Sequence, residues 1–308
     1  MNSVNDDGKR EISVLVIGLG RVAFGYEDIY GDGFLRTHIM AIIELSQLMN
    51  LKVHIWGIDP NKDVRNAVNL RYPELILHEN LETLPDIEFD LTIISTPTDV
   101  LFETVQKVGL QVQSRSVLVE KPGVNSSYEA EELNKLFAKN PNWYLNYPRR
   151  SLQSTKFLAD RFKKRVPVFI DIKYSGETLN ILCHYLDLLE YLFGQICTIS
   201  RIGNNPEIYF GTLKDNKIYF IAEKTGSDNT NDHQLRFISD SEVINYAECG
   251  KRILIDSVES RSVMNFDSEL SEMIFHTDFK VMENVLLGTT LNLPRKISSG
   301  IMQLLQTR

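Results

Sequence analysis

The sequence predicts two domains of different class. The first is an α/β domain with a doubly wound parallel sheet, residues 1–148. The second is an α+β domain with a largely antiparallel open sheet, residues 149–308. Three observations carry this. The first half alternates short β-rich runs with helical stretches, the pattern of a parallel sheet with crossover helices. A glycine turn, Gly18-Leu19-Gly20-Arg21-Val22-Ala23, follows the first apolar run directly. From residue 168 onward, strands succeed one another through short links such as Lys214-Asp215-Asn216 and Ser239-Asp240-Ser241, which imply antiparallel pairing.

In order, the first-half strands are expected at 12–17, 52–58, 75–77, 90–95, 116–119 and 143–147, with helices at 37–48, 62–70, 99–108 and 127–138. Strands covered on both faces read as continuous apolar runs, as Leu91-Thr92-Ile93-Ile94 and Val117-Leu118-Val119 do. The second half opens with a helix at 152–163. Strands follow at 168–174, 196–202, 207–212, 217–223, 234–238, 243–246 and 252–256. A helix at 181–193 interrupts them. Helices at 269–287 and 296–307 close the chain, with room to pack back on the first domain.

Composition is that of an ordinary globular protein, 43% hydrophobic and 24% charged over 308 residues, a length that favours two domains. A net charge of −8 argues against nucleic acid or an anionic membrane as the main partner. No apolar stretch approaches the ~20 residues of a membrane span. The polar segment Met1 to Glu11 lacks the apolar core of a signal peptide. Cys183, Cys197 and Cys249 are widely spaced and odd in number, so neither a disulfide framework nor a zinc cluster is suggested. A reduced, cytoplasmic setting is the expectation.

In the glycine turn, Gly18 permits the tight turn and Gly20 lets the backbone approach a pyrophosphate. The small Ala23 allows helix and strand to pack closely, a helix N-terminus offers amide donors, and Arg21 and Val22 are assigned to the cofactor with the rest of the turn. The motif alone is weak, with a structural turn as the alternative, and its position after a first strand favours a Rossmann dinucleotide site. Asp59 ends the second strand, where a carboxylate accepts from the adenosine ribose. It lies 39 residues past Gly20, against roughly 20 in the usual spacing. The excess is assigned to an inserted loop, Phe24–Arg36. A carboxylate repels a 2′-phosphate, so NAD is favoured over NADP, with Arg21, Lys62 and Arg65 able to soften the preference. The alternative for Asp59 is a cap or turn residue before Pro60.

Lys121, in Glu120-Lys121-Pro122, ends a strand and therefore faces the ligand crevice of an open sheet. It is suited to steady an alkoxide as hydride leaves carbon. A surface turn is the alternative. On the mostly apolar helix 179–193, Asn180, His184 and Asp187 fall three and four apart on one face. His184 is suited to take a proton near neutral pH, with Asp187 orienting its ring. A structural His–Asp pair is the alternative.

Taken together these segments resemble the Gfo/Idh/MocA oxidoreductases, the glucose–fructose oxidoreductase and inositol dehydrogenase relatives. The match runs through the glycine turn and His38, then Ser95-Thr96-Pro97, Glu120-Lys121-Pro122, His184-Tyr185-Leu186-Asp187 with Leu192-Phe193-Gly194, and Asn292-Leu293-Pro294. It covers nearly the whole chain. The resemblance implies NAD or NADP as cofactor, with Ser95, Thr96, Pro97 and Glu120 joining the cofactor set. It implies Lys121 and His184 as catalytic residues and a homodimer or homotetramer formed through the second-domain sheet. Where the family often has aspartate, four residues before the histidine, this chain has Asn180. Where it usually has a histidine after the Thr-Pro element, Leu101 stands. Asn146-Tyr147-Pro148-Arg149-Arg150 resembles members tied to bacterial surface polysaccharides. Tyr147, Arg149 and Arg150 are accordingly assigned to substrate, with a solvated charge pair as the alternative for the arginines.

The expected activity is NAD(P)-dependent hydride transfer to or from a carbinol carbon of a sugar or nucleotide sugar. A catalytically silent binding protein, acting as scaffold or sensor, is the second reading, motivated by Asn180 and Leu101. A reductase of non-sugar aldehydes or imines is the third.

Overall fold

The computed structural model describes residues 10–25, 37–226, 233–247, 250–266, 273–287 and 293–307. The chain divides into two compact units. One comprises residues 1–124, 131–146 and 271–296, and the other 125–130, 147–270 and 297–308. The main stretch of the second unit thus runs from Tyr147, and segment 271–296 groups with the first.

The first unit is a six-stranded parallel sheet in the order β3-β2-β1-β4-β5-β6, the order of a dinucleotide-binding fold. Its strands are β1 (Arg10–Ile17), β2 (Leu51–Ile58), β3 (Ile76–His78), β4 (Glu88–Ile94), β5 (Gln113–Glu120) and β6 (Trp143–Asn146). The central strands are buried on both faces. Leu91 to Ile94 and Ser116 to Glu120 are all buried, which is why their sequence does not alternate. Helices α1 (His38–Leu48), α2 (Lys62–Arg71), α3 (Thr98–Gln111) and α4 (Ser127–Lys139) complete the crossovers. Thr37 caps α1 by accepting from the Met40 amide, and Asn61 caps α2 by accepting from Asp63.

The glycine turn departs from expectation. Arg21–Gly25 form one π-helical turn, in which the Phe24 and Gly25 amides converge on the Gly20 carbonyl, while α1 begins at His38, within one residue of the expected start. Most of the predicted insertion, residues 26–36, and Asn292 of the closing signature lie outside the described residues.

The second unit contains an eight-stranded sheet in the order β14-β13-β12-β11-β7-β10-β9-β8. Its strands are β7 (Phe169–Tyr174), β8 (Ile196–Asn204), β9 (Glu207–Leu213), β10 (Ile218–Lys224), β11 (Gln234–Ile238), β12 (Glu242–Ala247), β13 (Arg252–Ser257) and β14 (Arg261–Asn265). All neighbours pair antiparallel except β7 with β10. Strand β14 went unpredicted because all five of its residues are exposed, so no apolar alternation marks it. Helices α5 (Gln153–Phe162), α6 (Thr178–Phe193) and α8 (Ser299–Gln306) belong to this unit. In α6, Leu179, Leu182, Leu186, Leu188 and Leu189 are buried, and Gly194 ends the helix at φ +89°.

Helix α7 (Met273–Leu287) belongs to the first unit, where Val281 and Met282 join the core of Ile39, Ile42, Ile93 and Leu118. Further along that segment, the Pro294 carbonyl accepts from the Leu145 amide. No described helix is long and apolar enough to cross a membrane.

Candidate active-site residues in each unit

In the first unit, the turn after β1 is laced to the ends of β2 and β4. The Gly18 amide donates to Ile58 O, the Ser95 amide to Ile17 O, and Ser95 Oγ to Gly18 O at 2.8 Å. Gly18 sits at φ +84°, and a Cβ there would lie 2.8 Å from Thr96 N, so only glycine fits. Gly20 is the reverse: a Cβ would meet no atom within 4 Å, which leaves the backbone approach open. Arg21 is exposed, Val22 half-buried and Ala23 fully buried. Thr96 Oγ1 is buried with no hydrogen-bond partner, beside the turn, and Pro97 stands at the start of α3. An open glycine backbone and an orphaned hydroxyl next to it fit a dinucleotide phosphate.

Asp59 fills the cap and turn role that stood as its alternative reading. Its Oδ2 accepts from the Leu19 amide at 2.9 Å and its Oδ1 from the Asn61 amide at 2.8 Å, so it braces the glycine turn and caps α2's approach. Each oxygen keeps a second lone pair for a ribose hydroxyl. Arg65 donates to the Asp59 and Pro60 carbonyls.

Glu120, the last residue of β5, points into a buried charge cluster. Its Oε1 accepts from His38 Nε2 at 3.1 Å and from Asn146 Nδ2. The other ring nitrogen, His38 Nδ1, lies 2.9 Å from Asp278 Oδ2. Burial alone would lower the His38 pKa, but the carboxylates, Asp278 foremost, outweigh it and raise it to about 10. The two carboxyl groups thus favour the protonated form of His38. Burial pushes Asp278 upward, with His38 restraining the rise. Lys121 follows, half-buried, with a cis peptide to Pro122 and then Gly123 at φ +85°. Asp278 was not singled out in the sequence, although it is an acid in a largely apolar helix, the signal that marked His184.

In the second unit, Tyr147, Arg149, Arg150, Asn180, His184 and Asp187 are placed by a 3-10 turn (Pro148–Ser151) and by α6. The structure corrects one expectation. Asp187 does not orient His184, because Arg150 takes both its oxygens, Nε to Oδ2 at 2.9 Å and Nη2 to Oδ1 at 2.6 Å. A guanidinium fork fits a carboxylate better than an imidazole one turn away on the same helix. Burial, opposed by Arg150, raises the Asp187 pKa to about 6. His184 is instead packed edge-on against the buried Tyr147 ring, centroids 6.3 Å apart at 87°. Burial, with Cys183 and Asp187 reinforcing it, lifts the Tyr147 phenol well above its ordinary value, so it stays protonated.

The arginines are not a solvated pair either. Arg149 is 8% exposed and lies over the Tyr185 ring at 5.1 Å, while Arg150 lies over Tyr191 at 5.3 Å. Asn180 is half-buried, and its amide donates to the capping carboxylate of Glu177 at 2.7 Å. Leu101 is a core residue of α3. Among the described residues, no group of three or more His, Cys, Asp or Glu side chains is arranged to hold a metal ion.

No protein-family profile matches the sequence, and no curated protein does. Solved structures match along nearly the full chain. An oxidoreductase from Agrobacterium radiobacter, crystallised with NAD+, L-tartaric acid and magnesium, is 11% identical with a TM-score of 0.69, over 96% of this chain and 94% of that one. Scyllo-inositol dehydrogenase from Lactobacillus casei is 13% identical with a TM-score of 0.71, over 96% and 94%. The chain shares its fold with these structures, and its structural neighbours include Gfo/Idh/MocA-type oxidoreductases. UDP-N-acetylglucosamine 3-dehydrogenase GnnA from Acidithiobacillus ferrooxidans is also similar, at 11% identity and a TM-score of 0.71, over 96% and 97%.

Proposed function

We propose that this chain is an NAD-dependent oxidoreductase acting on a carbinol carbon of a sugar or nucleotide sugar. The observation that carries the reading is the laced glycine turn: Gly18 locked against Thr96, Gly20 open, and the Thr96 hydroxyl buried without a partner. A bound NAD would supply the hydride acceptor or donor. Gly18, Gly20, Arg21, Val22, Ala23, Ser95, Thr96 and Pro97 would hold its phosphates and nicotinamide side, with Asp59 on the ribose. Asp59 disfavours a 2′-phosphate by charge.

Lys121 steadies the negative charge on the substrate oxygen, and His184 exchanges its proton. Since Asp187 is committed to Arg150, the ring of His184 is steadied by Tyr147 instead. Asn180 donates to or accepts from a substrate hydroxyl and takes no proton. Arg149 and Tyr147 are the remaining substrate contacts. The outer face of the second sheet, where Phe210 stacks on Tyr219 with Ile202 and Val263 exposed, is assigned to a second copy of the chain. A cytoplasmic role in polysaccharide precursor synthesis fits this substrate class.

The test is a fluorescence titration with NADH and NADPH, followed by a nucleotide-sugar panel. Micromolar NADH binding, tighter than NADPH, and turnover of a sugar substrate are expected. Absence of binding to either cofactor overturns the reading.

A further inference from the structure

We propose that His38 is a positioning residue for Lys121. The inference rests on the reading of Lys121 as the charge-steadying lysine. Strand β5 ends at Glu120, whose register partner is Asn146, and no ladder pairing holds the chain beyond that point. What grips Glu120 therefore acts on the exit of the chain toward Lys121. That grip is a side-chain clamp: His38 Nε2 at 3.1 Å and Asn146 Nδ2 meet on one carboxylate oxygen. His38 is itself fixed from behind by Asp278, at 2.9 and 3.2 Å to its two oxygens. His38 and Asp278 are fully buried.

Two acids and an imidazole in a dry interior are a costly way to hold three elements together. Apolar side chains of similar volume commonly serve stability as well or better. What the cluster supplies that apolar packing does not is direction. It pins a strand end from α1, β6 and α7 at once, at the carboxyl edge of a parallel sheet, where ligands of open α/β folds bind. Displacing a reacting group by about 1 Å can cost on the order of 100-fold in rate. The clamp acts on the residue adjacent to Lys121 and leaves the glycine turn untouched.

The experiment is trace acetylation of lysines with acetic anhydride in the intact protein. The Lys121 rate is read by mass spectrometry against exposed Lys139 at the end of α4, with and without NADH. In His38→Gln the Lys121-to-Lys139 ratio is expected to change at least ~5-fold, and in Asp278→Asn in the same direction by less. Ile42→Val, which removes a methylene from the same core without touching the clamp, should leave the ratio unchanged. NADH affinity should stay within ~3-fold in all three variants.

A folded His38→Gln protein with the wild-type ratio would overturn the proposal. If that variant does not fold, Asp278→Asn decides by the same criterion. If neither folds, the cluster serves stability alone and the proposal falls. NADH protection of Lys121 in the wild type tests the cofactor reading separately: its absence would count against dinucleotide binding, while the ligand-free ratio still judges the clamp.

Discussion

Arg150 closes on Asp187 with two parallel hydrogen bonds, and the Asp187 side chain retains only 1% of its exposure. This pair, rather than a His–Asp dyad, organises the polar stripe of α6. It leaves the His184 ring packed against the edge of Tyr147 rather than bonded to Asp187.

The pair gives stability a distinct pH signature. Asp187 titrates near 6 in the folded chain against 3.8 as its ordinary value. Between those values the native state keeps a proton that the unfolded chain releases. This contribution to stability is therefore complete below 3.8 and is lost as pH rises through 6. His38, raised from 6.5 to about 10, acts in a separate window, complete below 6.5 and lost through 10. Urea unfolding from pH 4 to 7 should show the wild type losing stability relative to Asp187→Asn as pH rises. A difference that stays flat across that range would contradict the assignment.

Gly18 and Gly20 should respond in opposite ways to alanine. At Gly18 the added Cβ meets Thr96 N at 2.8 Å and the backbone is left-handed, so Gly18→Ala should cost at least about 2 kcal/mol in chemical denaturation. Gly20→Ala has open space and should leave stability within about 0.5 kcal/mol, while weakening NADH binding roughly 10-fold or more. Equal stability losses at the two positions would sink the distinction.

Thr96→Val should stabilise the ligand-free protein by about 1 kcal/mol, because it replaces a buried hydroxyl that has no partner with a methyl group of the same shape. The same change should reduce NADH affinity. Denaturation midpoints and a fluorescence titration read the two effects on one sample.

Lys121→Ala should bind NADH with nearly wild-type affinity and turn over substrate at least ~100-fold more slowly, as expected for loss of one charge-stabilising group. Wild-type turnover in this variant would remove Lys121 from the chemistry.

The parallel sheet was legible because its strands are buried on both faces, and Ile12 to Ile17 or Val117 to Val119 carry that burial in their composition. The glycine turn was legible because its requirements are local: one left-handed residue, one open backbone and one small side chain. Strand β14 was not, since an exposed edge strand has no apolar face to write into the sequence. The π-turn at Arg21–Gly25 was missed because it depends on two amides sharing one carbonyl, which no residue type announces. Pairings across long sequence separations were hidden for another reason. Asp187 had two chemically sensible partners, and only the fold brings Arg150 to it, 37 residues earlier in the chain. Asp278 and His38, 240 residues apart, are the extreme case.

The order of synthesis has a consequence for how this chain is made. The first unit receives α7 and Leu293 only after residues 147–270 have been built, yet Val281, Met282 and Leu293 sit in the same core as Ile39 and Ile42. An emerging chain that has reached Asn146 carries the complete parallel sheet with part of its apolar cover still unwritten. It also holds His38 and Glu120 before Asp278 exists to face them. The first unit thus waits on the ribosome for its own lid, and neither unit can be cut free as a single contiguous fragment.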